Sequence, residues 1–368
     1  MHLEKLYLAN FKNYEAVSIS FSPSINVLAG ENGSGKTNLL DAIHFLSATK
    51  SALGASEQQC IRHEQEFYSI IGEFWTGGKK STVSNSFIAG KRKKIQIDEN
   101  PLDRAADIIG MYPVVLMAPS DHELVMEGSE IRRKFIDSII AQIDRNYLMQ
   151  LLDYNHALKQ RNQLIRHFSE TGKVDKDLLD PYDNLLINIG IKLCAARTAF
   201  CRNFLVKIER QYQYISGGKE KVHLQYQSDF QKESPEKEFR ESLHKDLALQ
   251  RTTTGVHRDD YIFEIDGYSL RRFGSQGQQK SFLIALKLAH FDTILEEKRF
   301  KPILLLDDIF DKLDDHRIGK LTEMIEHHDF GQVFITDARP ERSHHFLQKL
   351  NIEWRMITVN NGNLTINI

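Results

Sequence analysis

An α/β fold carrying a long helical insertion is predicted by three features of this 368-residue chain. Ile25 to Ala29 is a short apolar β-type run that empties into Gly30-Glu31-Asn32-Gly33-Ser34-Gly35-Lys36-Thr37, and a helical pattern follows from Asn38 to Phe45. Residues 1–30 and 67–98 alternate with the period of half-buried strands. From about Glu123 to Ser216 the period turns helical, and strand patterns return only beyond it. The length fits two domains, or one domain with a large insertion.

In the N-terminal stretch Leu6 and Leu8 share one strand face, and Val17, Ile19 and Phe21 share another, with a turn-prone segment from Asn10 to Asn13 between them. The next strand is the one that meets G-x-x-x-x-G-K-T, the order a phosphate-binding loop needs. Glycines let the backbone curl so that successive N–H groups point inward, and a helix N-terminus adds positive potential. Lys36 is then expected to reach β- and γ-phosphates, and the Thr37 hydroxyl to hold Mg²⁺. With no nucleotide bound, Lys36 is expected to face solvent. Accident supplies the four invariant positions in about one chain per hundred of this length. The amphipathic helix, with Leu39, Ile43 and Leu46 on one face, makes accident a poor explanation.

Phe67 to Trp75, Thr82 to Phe87 and Lys93 to Asp98 read as strands joined by Gly77-Gly78 and Ala89-Gly90 turns, an antiparallel meander beside the nucleotide strand. Its turns carry Lys79, Lys80, Lys91, Arg92, Lys93 and Lys94, a pattern that also serves simply to keep a sheet edge solvated. In the helical region Phe135, Ile139 and Ile143 recur at four-residue spacing, followed by Leu148, Leu151, Leu152 and Leu158. A polar break spans Ser169 to Asp175, after which Leu185, Ile189 and Leu193 resume the period, so at least two long arms are expected. Ser228 to Glu241 is polar and charged and reads as an exposed connector.

Strand-like Tyr261 to Ile265 leads through a Gly267 turn to Gly274-Ser275-Gln276-Gly277-Gln278-Gln279-Lys280 and a strong helix ending near Glu297. Ser275 stands where an N-cap belongs, and Gly277 lets a phosphate approach the backbone; alone, this segment is an ordinary helix start. Ile303 to Leu306 then forms a buried parallel strand ending in Asp307 and Asp308. A carboxylate there suits the Mg²⁺ that bridges phosphates, and the next suits orienting or deprotonating an attacking water. His257 and Asp259 lack a third ligand at a defined spacing, and the pairs His327-His328 and His344-His345 read as surface residues rather than a zinc site.

Composition narrows the class. Apolar content of 41% and charged content of 27% describe an ordinary globular protein, and no stretch reads as a membrane span or signal peptide. Cys60, Cys194 and Cys201 are odd in number without C-x-x-C spacing, so the expectation is a cytoplasmic protein without disulfides. A net charge of -2 leaves a nucleic-acid partner open, because a basic patch can sit on a neutral protein.

A loop at 30–37, a serine–glycine helix start at 275–278 and an acid-tipped strand at 303–308 occur here in the order seen in ABC-type ATPases. The chain therefore resembles an ABC-type ATPase head, a P-loop NTPase, with an inserted helical lobe. The resemblance implies a discontinuous head at 1–120 and 246–368 and an insertion at 121–245. The helix-filled gap is similar to the chromosome-maintenance branch. Phe11 to Tyr14, Gly30 to Asp41, Ala118 to Val125, Arg132 to Phe135, Gly255 to Asp260, Gly274 to Lys280 and Leu304 to Asp314 resemble, from end to end, the RecF family of recombination mediators. Val256 stands where that family usually has proline, and Asp311 and Lys312 replace its usual serine and glutamate.

The resemblance implies ATP and Mg²⁺ as cofactors, with Gly30, Glu31, Asn32, Gly33, Ser34, Gly35, Lys36 and Thr37 on ATP, Thr37 and Asp307 on the metal, and Asp308 with Lys36 as catalytic groups. It further implies an ATP-dependent homodimer in which Ser275, Gln276, Gly277 and Gln278 of one subunit cover the γ-phosphate held by the other, with slow hydrolysis as a timer. Implied partners are single-stranded, gapped or junction DNA, RecO and RecR, and RecA indirectly, in DNA repair, replication and the SOS response. The DNA-contacting surface stays unassigned, since the clusters at 79–94 and 132–134 are both open. The rival is an ATPase subunit powering a transporter or conformational motor; no histidine follows Phe334-Ile335-Thr336-Asp337, which speaks against a transporter.

Overall fold

The computed structural model describes residues 1–218, 220–309, 314–327, 329–339, 341, 344, 347–348 and 352–367. The expectations that fall on Asp311, Lys312, His328 and His345 lie outside the described residues. In chain order the strands are β1 (His2–Phe11), β2 (Tyr14–Ser20), β3 (Ile25–Ala29), β4 (Phe67–Thr76), β5 (Lys79–Ile88), β6 (Lys94–Ile97), β7 (Asn100–Pro101), β8 (Val114–Met117), β9 (Val222–Gln227), β10 (Asp260–Ile265), β11 (Tyr268–Ser269), β12 (Ile303–Leu306), β13 (Val333–Asp337), β14 (Trp354–Asn360) and β15 (Asn363–Asn367). Two compact units emerge, Met1–Asp121 with His290–Ile368, and His122–Ala289.

Among the described residues the first unit contains two sheets. One is antiparallel with order β2-β1-β4-β5-β6-β7, and the other runs β15-β14-β3-β13-β12-β8. In the second sheet β3 pairs in parallel with β13 and β14, β12 in parallel with β13 and β8, and β15 antiparallel with β14. The meander thus sits in the antiparallel sheet, on β1, rather than beside β3 as its sequence position suggests. The pattern accounts for the difference: β3 is buried along its whole length, as a parallel strand covered on both faces must be, while β4 and β5 alternate. The loop helix, Lys36–Ala48, lies between the sheets and contacts β4 and β5 on one side and β8 and β13 on the other. Its Leu39, Leu40, Ile43, Phe45 and Leu46 join Leu3, Leu6, Ile70, Ile303, Leu305 and Phe334 in one core. This packing holds the phosphate-type loop at the C-terminal end of β3.

The second unit is built on helices Ser129–Ile143, Arg145–Thr171 and Lys176–Ser216, with β9, β10 and β11 forming a small antiparallel sheet. Residues 246–289, expected in the head, pack with this unit instead: β10 pairs with β9, and Tyr261, Phe263, Phe282 and Leu286 share a core with Leu193, Phe204 and Tyr212. The boundary falls within the helix Gln276–Lys298. Strand pairing and core burial, which linear pattern does not report, draw it there. The connector at 228–241 is exposed over most of its length, as expected, but is anchored at two buried points. Phe239 is fully buried, and the Arg161 guanidinium lies 4.7 Å from its ring centroid. Two phenylalanines in a polar stretch anchor it, which average composition conceals.

By length and composition the helix Lys176–Ser216 would pass for a membrane span. Here its Leu186, Leu193, Phe204, Ile208 and Tyr212 enter the unit's core, and Arg197 is buried beside them in ion pairs with Asp137 at 2.9 Å and Asp259 at 2.6 Å. A core helix with a buried, paired arginine explains the apolar composition.

Candidate nucleotide-binding site

At the end of β3 the chain turns through Gly33 at φ +81 and Gly35 at φ +116, and the helix begins at Lys36 with no acid in its first turn. A side chain at Gly30 would place Cβ 2.2 Å from the Val359 carbonyl oxygen, and one at Gly35 would meet the Asn13 amide at 2.4 Å. Gly30 is therefore required by the loop's closeness to its surroundings, and Gly35 by closeness and conformation together.

The loop interior suits an anion. Lys36 is 4% exposed, contrary to the expectation that it faces solvent, because its ammonium turns back and donates to the Gly30 and Glu31 carbonyl oxygens at 2.7 and 2.9 Å. A buried ammonium takes the nearest acceptors when no phosphate supplies better ones. Ser34 Oγ is buried with no hydrogen-bond partner among the described residues. A free hydroxyl, a cation and an uncapped helix N-terminus converge on one place.

Across from the loop, Asp307 ends β12. Thr37 Oγ1 donates toward its two carboxylate oxygens at 3.0 and 3.1 Å, and Thr336 Oγ1 from β13 donates at 2.9 Å. Burial raises the Asp307 pKa and the neighbouring Asp308 adds to this, while the hydrogen bonds from Thr336 and Thr37 and the charge of Lys36 oppose it. Hydroxyl and carboxylate oxygens in contact form the hard donor set that suits Mg²⁺. Asp308 adopts φ +47, and its N–H donates to Thr336 Oγ1 at 2.8 Å. One threonine of β13 thus orients both acids.

Several functional supports were invisible in the loop motif. Asn13 donates to the Ser34 carbonyl at 3.2 Å and accepts from Asn38 at 2.8 Å, and the Tyr14 hydroxyl donates to the Gly35 carbonyl at 2.9 Å. Lys12 pairs with the buried Asp41 at 2.6 Å, and Asp41 also accepts from Ser51 and from the Ala52 N–H. The turn between β1 and β2 is therefore a brace for the loop carbonyls and the loop helix. Its residues were visible only as part of a family resemblance, because hydrogen bonds between segments leave no periodic signal.

The Ser275–Gln278 segment opens the helix Gln276–Lys298 in the second unit. Gln278 N–H donates to Ser275 Oγ at 3.2 Å and Gln278 Oε1 accepts from Ser275 N–H at 2.7 Å, a reciprocal cap. Gln276 is exposed and Gly277 half-exposed, so the segment presents a helix N-terminus.

Residues 2–360 match the family described as RecF/RecN/SMC N terminal domain. The chain is 41% identical over 362 residues to the DNA replication and repair protein RecF of Cytophaga hutchinsonii, covering 98% of this chain and 96% of that one. It is 42% identical over 343 residues to the protein of that name from Flavobacterium johnsoniae, covering 93% and 96%. The chain belongs to the RecF family. A solved structure of the recombination mediator protein RecF-ATP in the RecFOR pathway superposes with a TM-score of 0.88 at 27% identity, over 100% of this chain and 99% of that one. A Pyrococcus furiosus Smc head domain, at TM-score 0.55 and 18% identity over 100% of this chain and 96% of that one, shares the ABC-type ATPase head fold.

Within this RecF-family chain the other motif residues take structural positions. Arg132 is 5% exposed, grips Asp260 through two bonds at 2.9 and 3.0 Å and donates to the Glu127 carbonyl, so it is not a solvated candidate for DNA. Arg133 donates to the Asp259 carbonyl at 2.7 Å, and Lys134 pairs with Glu130 at the surface. The Tyr154 hydroxyl contacts His257 Nδ1 at 2.9 Å, and Thr252 O lies 3.1 Å from Nε2; burial lowers the His257 pKa to about 4. Burial also raises the Asp259 pKa, against the pull of Arg197 beside it. Among the described residues no cluster of histidine, cysteine and carboxylate suits a metal. On the meander, Lys80 pairs with Glu4 and Glu73, and Lys93 with Glu57 and the Thr49 carbonyl, whereas Lys79, Lys91, Arg92 and Lys94 are exposed.

Proposed function

We propose that this RecF-family chain is an ATP-dependent DNA-binding protein of recombinational repair and replication that acts at single-stranded, gapped or junction DNA. The observation that carries the reading is the contact of the Thr37 hydroxyl with the Asp307 carboxylate, which joins the loop to the acid-tipped strand. Gly30 to Thr37 hold the phosphates of ATP, with Lys36 leaving its two carbonyl partners for the β- and γ-phosphates. Thr37 and Asp307 hold Mg²⁺, which neutralises phosphate charge when bound. Asp308, oriented by Thr336, accepts the proton of an attacking water.

Ser275, Gln276, Gly277 and Gln278 of a second subunit close over the γ-phosphate, so ATP drives homodimer formation and slow hydrolysis ends it. This makes ATP a switch on DNA binding. The protein works in the cytoplasm with RecO and RecR to help RecA load, as the name RecFOR pathway given to its structural relative supports. The discontinuous head and the helical unit divide these tasks between nucleotide chemistry and presentation of the Ser275 segment. Gel shift on gapped DNA with and without ATP tests the reading. ATP-dependent retention is expected; binding that ignores ATP, or none on any DNA form, overturns it.

A further inference from the structure

The helix Lys176–Ser216 stops at Gly217, whose φ of +82 and N–H bond to the Gln213 carbonyl at 3.1 Å form a left-handed cap, and Gly218 repeats φ +82. The chain folds back so that Glu220 lies beside the helix it has just left. Its carboxylate makes two contacts: Oε2 accepts from the Tyr212 hydroxyl, and Oε1 accepts from Gln278 Nε2 at 2.7 Å. Tyr212 is 1% exposed and belongs to the unit's core, so Glu220 is held on its far side by a rigid group.

The adjacent residue grips the other end of the same segment. Lys221 N–H donates to Asp266 Oδ1 at 2.9 Å, and the Lys221 carbonyl accepts from Asp266 N–H at 2.8 Å. Asp266 stands at the turn between β10 and β11, from which the chain runs to Ser275. Residues 220 and 221 therefore clamp the stretch 266–278 at both ends, with Gln278 held by a side chain and Asp266 mainly by backbone.

The chemistry at Gln278 is directional. An ionised carboxylate only accepts, so it requires the NH₂ of the Gln278 amide to face it. That choice turns Oε1 toward Ser275 N–H and completes the reciprocal cap. A flipped amide would set NH₂ against an N–H donor and oxygen against a carboxylate, two repulsive contacts. Ser275 Oγ already accepts from Gln278 N–H, which leaves its own proton available to an approaching anion. Ser275 N–H selects the same orientation from the other side, and Glu220 reinforces it by holding the Nε2 end of the amide.

We infer that Glu220 is a positioning residue for the Ser275–Gln278 segment, setting from the end of the long helix the conformation this segment presents to a nucleotide phosphate. The inference rests on the proposed shared site between two subunits. Its test compares Glu220→Ala, Glu220→Gln, Tyr212→Phe and Ser275→Arg in the full chain. ATP binding is measured at protein concentrations below dimerisation, and ATP-dependent dimerisation by light scattering.

Glu220→Ala should bind ATP within about twofold of the parent yet need about tenfold more protein for half-dimerisation, the loss of one charge-assisted hydrogen bond. Glu220→Gln keeps an acceptor oxygen for Gln278 and should recover to within about threefold. Tyr212→Phe keeps the buried ring and should shift the midpoint by about threefold, which reads the same link if the alanine variant fails to fold. Ser275→Arg should abolish the dimer. If Ser275→Arg blocks dimerisation while Glu220→Ala and Tyr212→Phe leave the midpoint unchanged, the positioning role falls and the shared site stands. If Ser275→Arg dimerises normally, the shared site falls and the positioning role falls with it.

Discussion

Replacing Lys36 with alanine separates two roles of one ammonium. The Nζ bonds to Gly30 O and Glu31 O at 2.7 and 2.9 Å hold the loop on itself. Each charge-assisted bond contributes about 1.5–3 kcal/mol, and desolvation of the buried ammonium offsets part of the pair, so a net loss of about 2 kcal/mol follows. In a unit of about 200 residues, 1 kcal/mol moves Tm by about 2–4 °C, so the variant should melt about 4–8 °C below the parent without nucleotide. ATP at a hundredfold over Kd adds about 2.7 kcal/mol to a protein that binds it only when native, a rise of about 5–11 °C. The variant should show none of this rise. Thermal melts with and without Mg-ATP supply all four values. An ATP shift equal to the parent's refutes the loop assignment, and an unchanged Tm without ATP refutes the brace formed by the two carbonyls.

Asp308→Asn should form an ATP-dependent dimer that persists, because the site closes but no carboxylate receives the water's proton; phosphate release at the parental rate would remove Asp308 from that role. DNA affinity should fall steeply with salt, and joint reversal of Lys91, Arg92 and Lys94 to glutamate should lower the slope of log K against log salt by about 2–3 if these side chains meet duplex phosphates. An unchanged slope would leave them as solvated edge. Arg132→Glu should instead destabilise the second unit by about 3–5 kcal/mol, since it strands the Asp260 carboxylate beside a buried like charge, a loss read by denaturant unfolding. His257, with its pKa lowered from 6.5 to about 4, binds fewer protons folded than unfolded. Its contribution is therefore complete above pH 6.5 and lost as pH falls toward 4, by up to about 1.4 kcal/mol per pH unit. Tyr154, Thr252, Arg258, Arg133 and Asp246 surround it, so the comparison is with His257→Gln, whose stability should lack this component; identical pH profiles would contradict the assignment.

What the sequence by itself determined was whatever is local or periodic. The G-x-x-x-x-G-K-T loop between a buried strand and a helix, the acids at the end of Ile303–Leu306, the serine cap at 275 and the long helical arms each depend on neighbours within a few positions, and side-chain spacing records such neighbours directly. Tertiary structure alone decided which distant groups meet. It placed the meander on β1 instead of β3, drew 246–289 to the helical unit, and turned Arg132 inward onto Asp260. It also brought Asn13 and Tyr14 to the loop carbonyls, Thr336 between Asp307 and Asp308, and Glu220 to Gln278. These are single hydrogen bonds and ion pairs across tens to hundreds of residues. Their physical basis is that a buried polar group must find a partner wherever the packed chain brings one, and that requirement leaves no periodic mark in the sequence.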